Sequence, residues 1–198
     1  MMQITKVTKA VKTECRYNVF VDEEYSFSLD ESQLVDLGVR KGQELTDEEL
    51  AQLKSESSFG KSYIRAMDLI SRRQRSEKEI RDYAWKKQWS PEVRDRVTER
   101  LKECGYLNDE KFAKSFVRSR ANRGFSNRKM RTELIKKRIK RELIDHVLKD
   151  EDFNELESLK NLIIKKRDKY ESDEKLIQYL MRQGFRYDHI KSILDEKW

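Results

Sequence analysis

The chain has 198 residues, 41% of them charged and 36% hydrophobic, with a single proline. So little apolar content suits several small helical units better than one large core. No segment approaches the ~18 apolar residues that mark a membrane span. The net charge is +7, but 13 of the 44 Lys and Arg and only one of the 37 acids, Glu133, fall between Lys111 and Arg141. That middle carries a local excess of +12 and leaves the rest of the chain at −5. A field so concentrated attracts a polyanion or an acidic protein face.

The first 30 residues read as β-structure. "QITKVTKA", "RYNVFV" and "YSFSL" are short runs rich in β-branched and aromatic residues, and Asp22 to Glu24 supply a hairpin turn. "DESQLVDLG" predicts a short helix capped by Asp30 and ended by Gly38. "VRKGQ" is a turn, and "TDEELAQL" opens a second helix with a capping box, Thr46 with Glu49. A small β-containing module over 1–55 is expected. The polar, serine-rich "KSESSFGKS" is the expected linker to the remainder of the chain.

Beyond it the chain repeats itself. Ser76, Ser126 and Ser172 align as helix N-caps, at register shifts of 50 and 46 residues. Behind them come matching apolar columns: Ile80, Met130, Leu176; Ala84, Leu134, Leu180; Trp89, Ile139, Phe185. Val93 and Val97 match Leu143 and Val147; in the third unit His189, with Ile190 beside it, and Ile193 take these places. Ser90 followed by Pro91 starts a helix, and Gly105, Gly124 and Gly184 fall at helix ends. The expected fold is therefore mainly α. Three tandem three-helix repeats, over 56–107, 108–152 and 153–198, form an elongated curved array behind the N-terminal module.

The first unit, "AMDLISRRQRSEKEIRDYAWKKQWSPEVRDRVTERLKECGYLND", and the second, "KFAKSFVRSRANRGFSNRKMRTELIKKRI", resemble the RecX family of bacterial regulators of the RecA recombinase. The third, "DEKLIQYLMRQGFRYDHIKSIL", is similar but weaker, and the N-terminal module resembles an extension of some members. The resemblance implies a cytoplasmic, non-catalytic protein that binds the RecA–DNA filament. It would lower strand exchange, ATP hydrolysis and the filament's promotion of repressor self-cleavage, and so modulate DNA repair and the SOS response. No cofactor or metal is implied. A monomer that also touches DNA nonspecifically is expected.

A helical wheel through the basic segment separates core from charge. With Phe116 at zero, Phe112 and Ala113 lie within about 60° and Val117 at about 100°, while Lys111, Lys114 and Arg118 lie on the far side. In the next helix Met130 and Leu134 form the stripe, and Arg128, Lys129 and Lys136 point away from it. These six cations, Lys111, Lys114, Arg118, Arg128, Lys129 and Lys136, are the candidates for contact with RecA or DNA. Secondary candidates are Arg120, Arg123, Arg131, Lys137 and Arg138, together with Arg72 and Arg73 of "SRRQR". For Arg120 and Arg123, which fall on the apolar side, a helix-terminal role serving the last carbonyls is the simpler expectation. Trp89 is expected in the core; Tyr83 and Trp85 are open between core and base stacking.

An enzyme is not expected. His146 and His189 are the only histidines, and neither has metal-ligand spacing with a cysteine. Cys15 and Cys104 form no CxxC motif and are expected to act as small hydrophobes in a reducing compartment. The N-terminus has no apolar run of signal-peptide length. Two other readings stay open. A three-helix unit could be a sequence-specific helix-turn-helix, although its basic helix lacks the Asn and Gln that read base edges. Basic helices with aromatics also fit a general single-strand or RNA binder.

Overall fold

A computed structural model describes residues 2–11, 15–150 and 154–196. The expected boundary at 152/153 lies outside the described residues. The chain divides into two compact units: Met1–Gln74 with Ile80–Leu107, and Arg75–Glu79 with Asn108–Trp198.

The first unit begins with an antiparallel sheet of order β3-β2-β1-β4, formed by β1 (Met2–Lys9), β2 (Arg16–Val21), β3 (Glu24–Asp30) and β4 (Glu44–Leu45). The two-residue turn between β2 and β3 has both Asp22 (φ 50°) and Glu23 (φ 68°) in the left-handed region, as a type I′ hairpin requires. Asp22 tolerates that conformation but Glu23 does not favour it, and β1 holds the turn. Gln3 N–H donates to Asp22 Oδ1 at 2.9 Å, and Glu23 N–H donates to Thr5 Oγ1 at 3.0 Å. Ile4, Val19, Phe27 and Leu29 bury one face with Val39, Leu45 and Leu53. Helix α1 (Glu31–Asp36) starts from a reciprocal Asp30–Gln33 capping box.

The expected linker does not exist. Helix α2 (Asp47–Arg72) runs 26 residues from its Thr46–Glu49 capping box straight through Lys54–Ser62. The small residues there serve close packing. Ser57 is buried, and its hydroxyl donates to the Ser28 carbonyl at 2.7 Å. Gly60 is also buried: a Cβ there would lie 2.5 Å from Gln33 Oε1, and Gln33 Nε2 in turn donates to the Glu56 carbonyl at 2.7 Å. Serine and glycine lower helix propensity, but here they let α2 come close to β3 at Ser57 and to α1 at Gly60. The later turns of α2 bury Ala66 against Ile80 of α3 (Glu77–Lys86) and Val97 and Leu101 of α4 (Pro91–Glu103). One helix therefore belongs both to the N-terminal module and to the first repeat.

The second unit stacks two three-helix sets. The first is α5 (Asp109–Ala121), α6 (Asn127–Lys136) and α7 (Arg141–Asp150); the second is α8 (Glu155–Lys166), α9 (Asp173–Arg182) and α10 (Tyr187–Asp195). Ser126 and Ser172 cap α6 and α9 as expected, each accepting from the N–H three residues on. The apolar columns are buried throughout, except that Trp89 is only partly so. In α7 and α10 the deepest column is one place further on than expected: Ile144 and Ile190 are fully buried, while Leu143 and His189 are half-buried; in α4 the expected Val93 is buried. The turn after each middle helix carries a left-handed residue at the same register, Gln88 (φ 56°), Arg138 (φ 58°) and Gly184 (φ 93°).

Ser58→Pro, at an exposed position inside α2, should cost about 3 kcal/mol in urea unfolding, whereas a linker would tolerate it. At the turn after α9, a Cβ on Gly184 would collide with Ser126 Oγ. Gly184→Ala should therefore cost more than the ~1 kcal/mol of a left-handed alanine. Adding Ser126→Ala should cost less than the sum of the two single changes, as read from a double-mutant cycle.

Candidate functional site

The basic segment occupies α5, α6 and the turns after them. Asn108 caps α5, its side chain accepting from the N–H groups of Glu110 and Lys111. Phe112, Ala113 and Val117 are buried, so the core stripe is fixed, although Phe116 remains half-exposed. Lys111, Lys114 and Arg118 succeed one another along the opposite flank at helical spacing. Lys111 and Arg118 are exposed. Lys114 is held by Glu110 at 2.9 Å and lies 3.9 Å from Asp150 of α7. That hydrogen bond keeps the Glu110 carboxyl below its ordinary pKa. On α6, Arg128 and Lys136 are exposed two turns apart, with Thr132 between them.

Lys129 departs from the expectation. Its ammonium donates to the Arg182 carbonyl at 3.0 Å and to Gln183 Oε1 at 3.1 Å, and it lies 4.1 Å from the Phe125 ring centroid. The wheel placed it outward relative to the core of its own repeat. The end of α9 covers that direction, and no wheel drawn on α6 alone contains α9. Lys129 is thus a joint between the two helix sets of this unit.

Several secondary candidates are likewise engaged. Arg120 lies 3.3 Å from Glu133 and over the rings of Phe116 and Phe125, which agrees with the wheel's inward placement. Arg131 pairs with Asp145, and Lys137 pairs with Glu79 while lying 5.6 Å from the Phe112 centroid. Arg138 is exposed but sits in the left-handed turn. Arg123 is exposed rather than inward-facing, at the rim of a cleft of about 650 Å³ that it shares with Asn161, Lys165, Lys166 and Tyr179. Sequence reasoning missed Lys165 and Lys166; the signal was the run "KKRDK" closing α8. In the first unit, Arg72 pairs with Asp68 at 2.8 Å, and Arg73 donates to the Gln74 carbonyl.

Tyr83 packs edge-on against Trp89 at 5.7 Å, whereas Trp85 is 73% exposed with the Arg94 guanidinium over its ring at 5.1 Å. Both cysteines are free and exposed, so neither is the small core hydrophobe expected of it. Among the described residues no group of three or more His, Cys, Asp or Glu could hold a metal ion. Among them, too, no helix is long and apolar enough to cross a membrane.

The distinction between contact and joint is measurable. Lys129→Met should lower the stability of the second unit by about 1 kcal/mol, while Arg128→Met, at an exposed neighbour, should leave urea unfolding unchanged.

Comparison with known proteins accounts for most of this architecture. Residues 2–46 match the family model described as "Regulatory protein RecX N-terminal domain", 63–101 match "RecX, first three-helix domain", and 108–148 match "RecX, second three-helix domain". Curated relatives named Regulatory protein RecX include one from Caldanaerobacter subterraneus subsp. tengcongensis, 31% identical over 98% of this chain and 99% of its own length. Another, from Bacillus subtilis strain 168, is 34% identical over 98% of this chain and 76% of its own length. A relative from Listeria welshimeri is 35% identical over 79% of this chain but only 59% of its own length. A crystal structure of regulatory protein RecX superposes with a TM-score of 0.73 at 27% identity, covering 99% of this chain and 100% of that one. With three matching domains and relatives spanning nearly its whole length, the chain belongs to the RecX family of regulatory proteins.

Proposed function

We propose that this protein is a non-catalytic cytoplasmic regulator of RecA, acting as a monomer that binds the RecA–DNA filament and inhibits its recombinase, ATPase and coprotease activities. Family membership supplies the class of activity. The observation that carries the surface is the set of exposed cations Lys111 and Arg118 on α5 and Arg128 and Lys136 on α6. None of the side chains of Lys111, Arg128 and Lys136 is tied into an ion pair among the described residues. Each arginine offers a bidentate fork and each lysine a point charge to carboxylates or phosphates. Lys129, Arg131 and Lys137, having partners inside the fold, drop from the contact set; Lys114 and Arg118, which have partners too, contribute in part.

The test is RecA ATP hydrolysis on single-stranded DNA with this protein titrated in at fixed salt. A fall at substoichiometric ratios supports a filament regulator that blocks growth. Loss of activity only when bare DNA is saturated supports the second reading, a plain nucleic-acid binder, which the exposed Trp85 favours as a stacking platform. Changing Lys111, Arg118, Arg128 and Lys136 together to Glu should leave helical circular dichroism intact and raise the half-inhibitory concentration at least about tenfold. If these residues meet phosphates, neutral replacements should also flatten the salt dependence by about 3 log units per log unit of salt; acidic RecA patches would give a smaller change.

A further inference from the structure

The first unit contains a second basic feature that the regulator reading does not use. A cavity of about 510 Å³ lies where β2 and β3 meet α2, and Cys15, Arg16, Tyr25, Asp30, Lys61 and Arg65 are among its walls. Arg16 is only 6% exposed. Its Nε donates to Ser28 Oγ at 3.3 Å and its Nη2 to the Ser28 carbonyl at 2.5 Å, but its buried Nη1 has no hydrogen-bond partner. An idle donor on a buried cation costs free energy unless a ligand takes it up. Burial lowers the pKa of Arg16 from its ordinary value; Asp30 opposes that shift and Arg65 adds to it. Lys61 and Arg65 stand one turn apart on α2, and neither has an ion-pair partner among the described residues. Asp30 is the one carboxylate in the lining, and its Oδ1 is already engaged by the Gln33 N–H at 2.8 Å. Three like charges share one cavity, and after Asp30 they leave a local charge of +2.

We propose that this cavity is a phosphate-binding site, in which Arg16, Lys61 and Arg65 together hold one phosphoryl group. A planar carboxylate is satisfied by one guanidinium fork. Three cations on separate stems suit a tetrahedral anion with several acceptor oxygens; a phosphate monoester near neutral pH carries about −1.5 to −2 and matches the site's charge, while a backbone phosphodiester, at about −1, satisfies it in part. The phosphoryl group comes either from a small phosphate compound or from a nucleic-acid backbone.

Cys15 supplies a reporter, since it is an exposed free thiol in the lining, and Cys104, exposed and outside it, is the internal control. The experiment alkylates the full chain with iodoacetamide and tracks both cysteines by peptide mass spectrometry. It compares chloride, inorganic phosphate and a single-stranded oligonucleotide without terminal phosphates, all at equal ionic strength. Inorganic phosphate slowing Cys15 several-fold, with Cys104 unchanged, supports a site for small phosphates. The same effect from the oligonucleotide alone supports backbone phosphates. In either case Lys61→Gln with Arg65→Gln should abolish the protection. Arg65→Gln alone, at an exposed position, should weaken it and serves if the double variant misfolds. Identical Cys15 rates in all three solutions, or protection that survives these substitutions, would overturn the proposal. RecA takes no part in the measurement, so its outcome is independent of the regulator reading.

Discussion

At the turn after α9 the chain takes φ 93°, and any side chain on Gly184 would collide with the N-terminus of α6. That collision would involve Ser126 Oγ and, at 2.8 Å, the Lys129 Cβ. Both belong to the capped first turn of α6, so the two helix sets of the second unit meet backbone to backbone. Everything else at this joint depends on the approach. Ser126 N–H donates to the Gln183 carbonyl at 3.1 Å, Lys129 reaches the carbonyl before it, and Asn127 N–H donates to Glu155 Oε1 at the start of α8. The same unit repeats the last device where Glu77 N–H donates to Asp109 Oδ1 at 2.9 Å. The orphan donors of a middle helix are thus satisfied by its own serine and by an acid from the helix that begins the next set.

This mode of joining changes the meaning of the charge run. Counted along the chain, 111–141 has one acid among 13 cations. In space Glu110, Asp145 and Glu79, all outside that window, sit against Lys114, Arg131 and Lys137. The two more exposed pairs, at Lys114 and Arg131, contribute little stability each, because solvent screens them, while Lys137–Glu79 is the more buried. Their effect is to choose which cations remain available. Of the strongly basic middle, the cations that face solvent lie on the outer flanks of α5 and α6 and in the turns that follow each of them.

Local chemistry in the sequence carried much of the fold. The cap at Asp30, the capping box at Thr46, the serine caps and the apolar spacing within each helix all depend on residues within a turn or two of one another, and the columns then follow from repeating that spacing. The failures share a cause. Lys54–Ser62 reads as a linker because serine and glycine weaken helices, and only the position of the sheet shows that small residues are wanted there. Lys129 reads as surface because the element covering it lies about fifty residues away. The cavity at Arg16 gathers residues from two strands and a helix, and no periodicity links them. For the candidate contact surface, flank assignment was legible in Lys111, Arg118, Arg128 and Lys136, while ion pairing was not.

The continuity of α2 has a consequence for how this protein can change over generations. Each residue in a helix advances the chain by about 1.5 Å and turns it by about 100°. The face that meets the N-terminal module, at Leu53, Ser57 and Gly60, and the face that meets the first repeat, at Ala66, are locked in phase by the number of residues between them. A loop there would absorb an insertion. This helix cannot: one added residue would swing one core away from its partner by more than a quarter of a revolution. Substitution is therefore open along this stretch wherever it faces water, but its length is not.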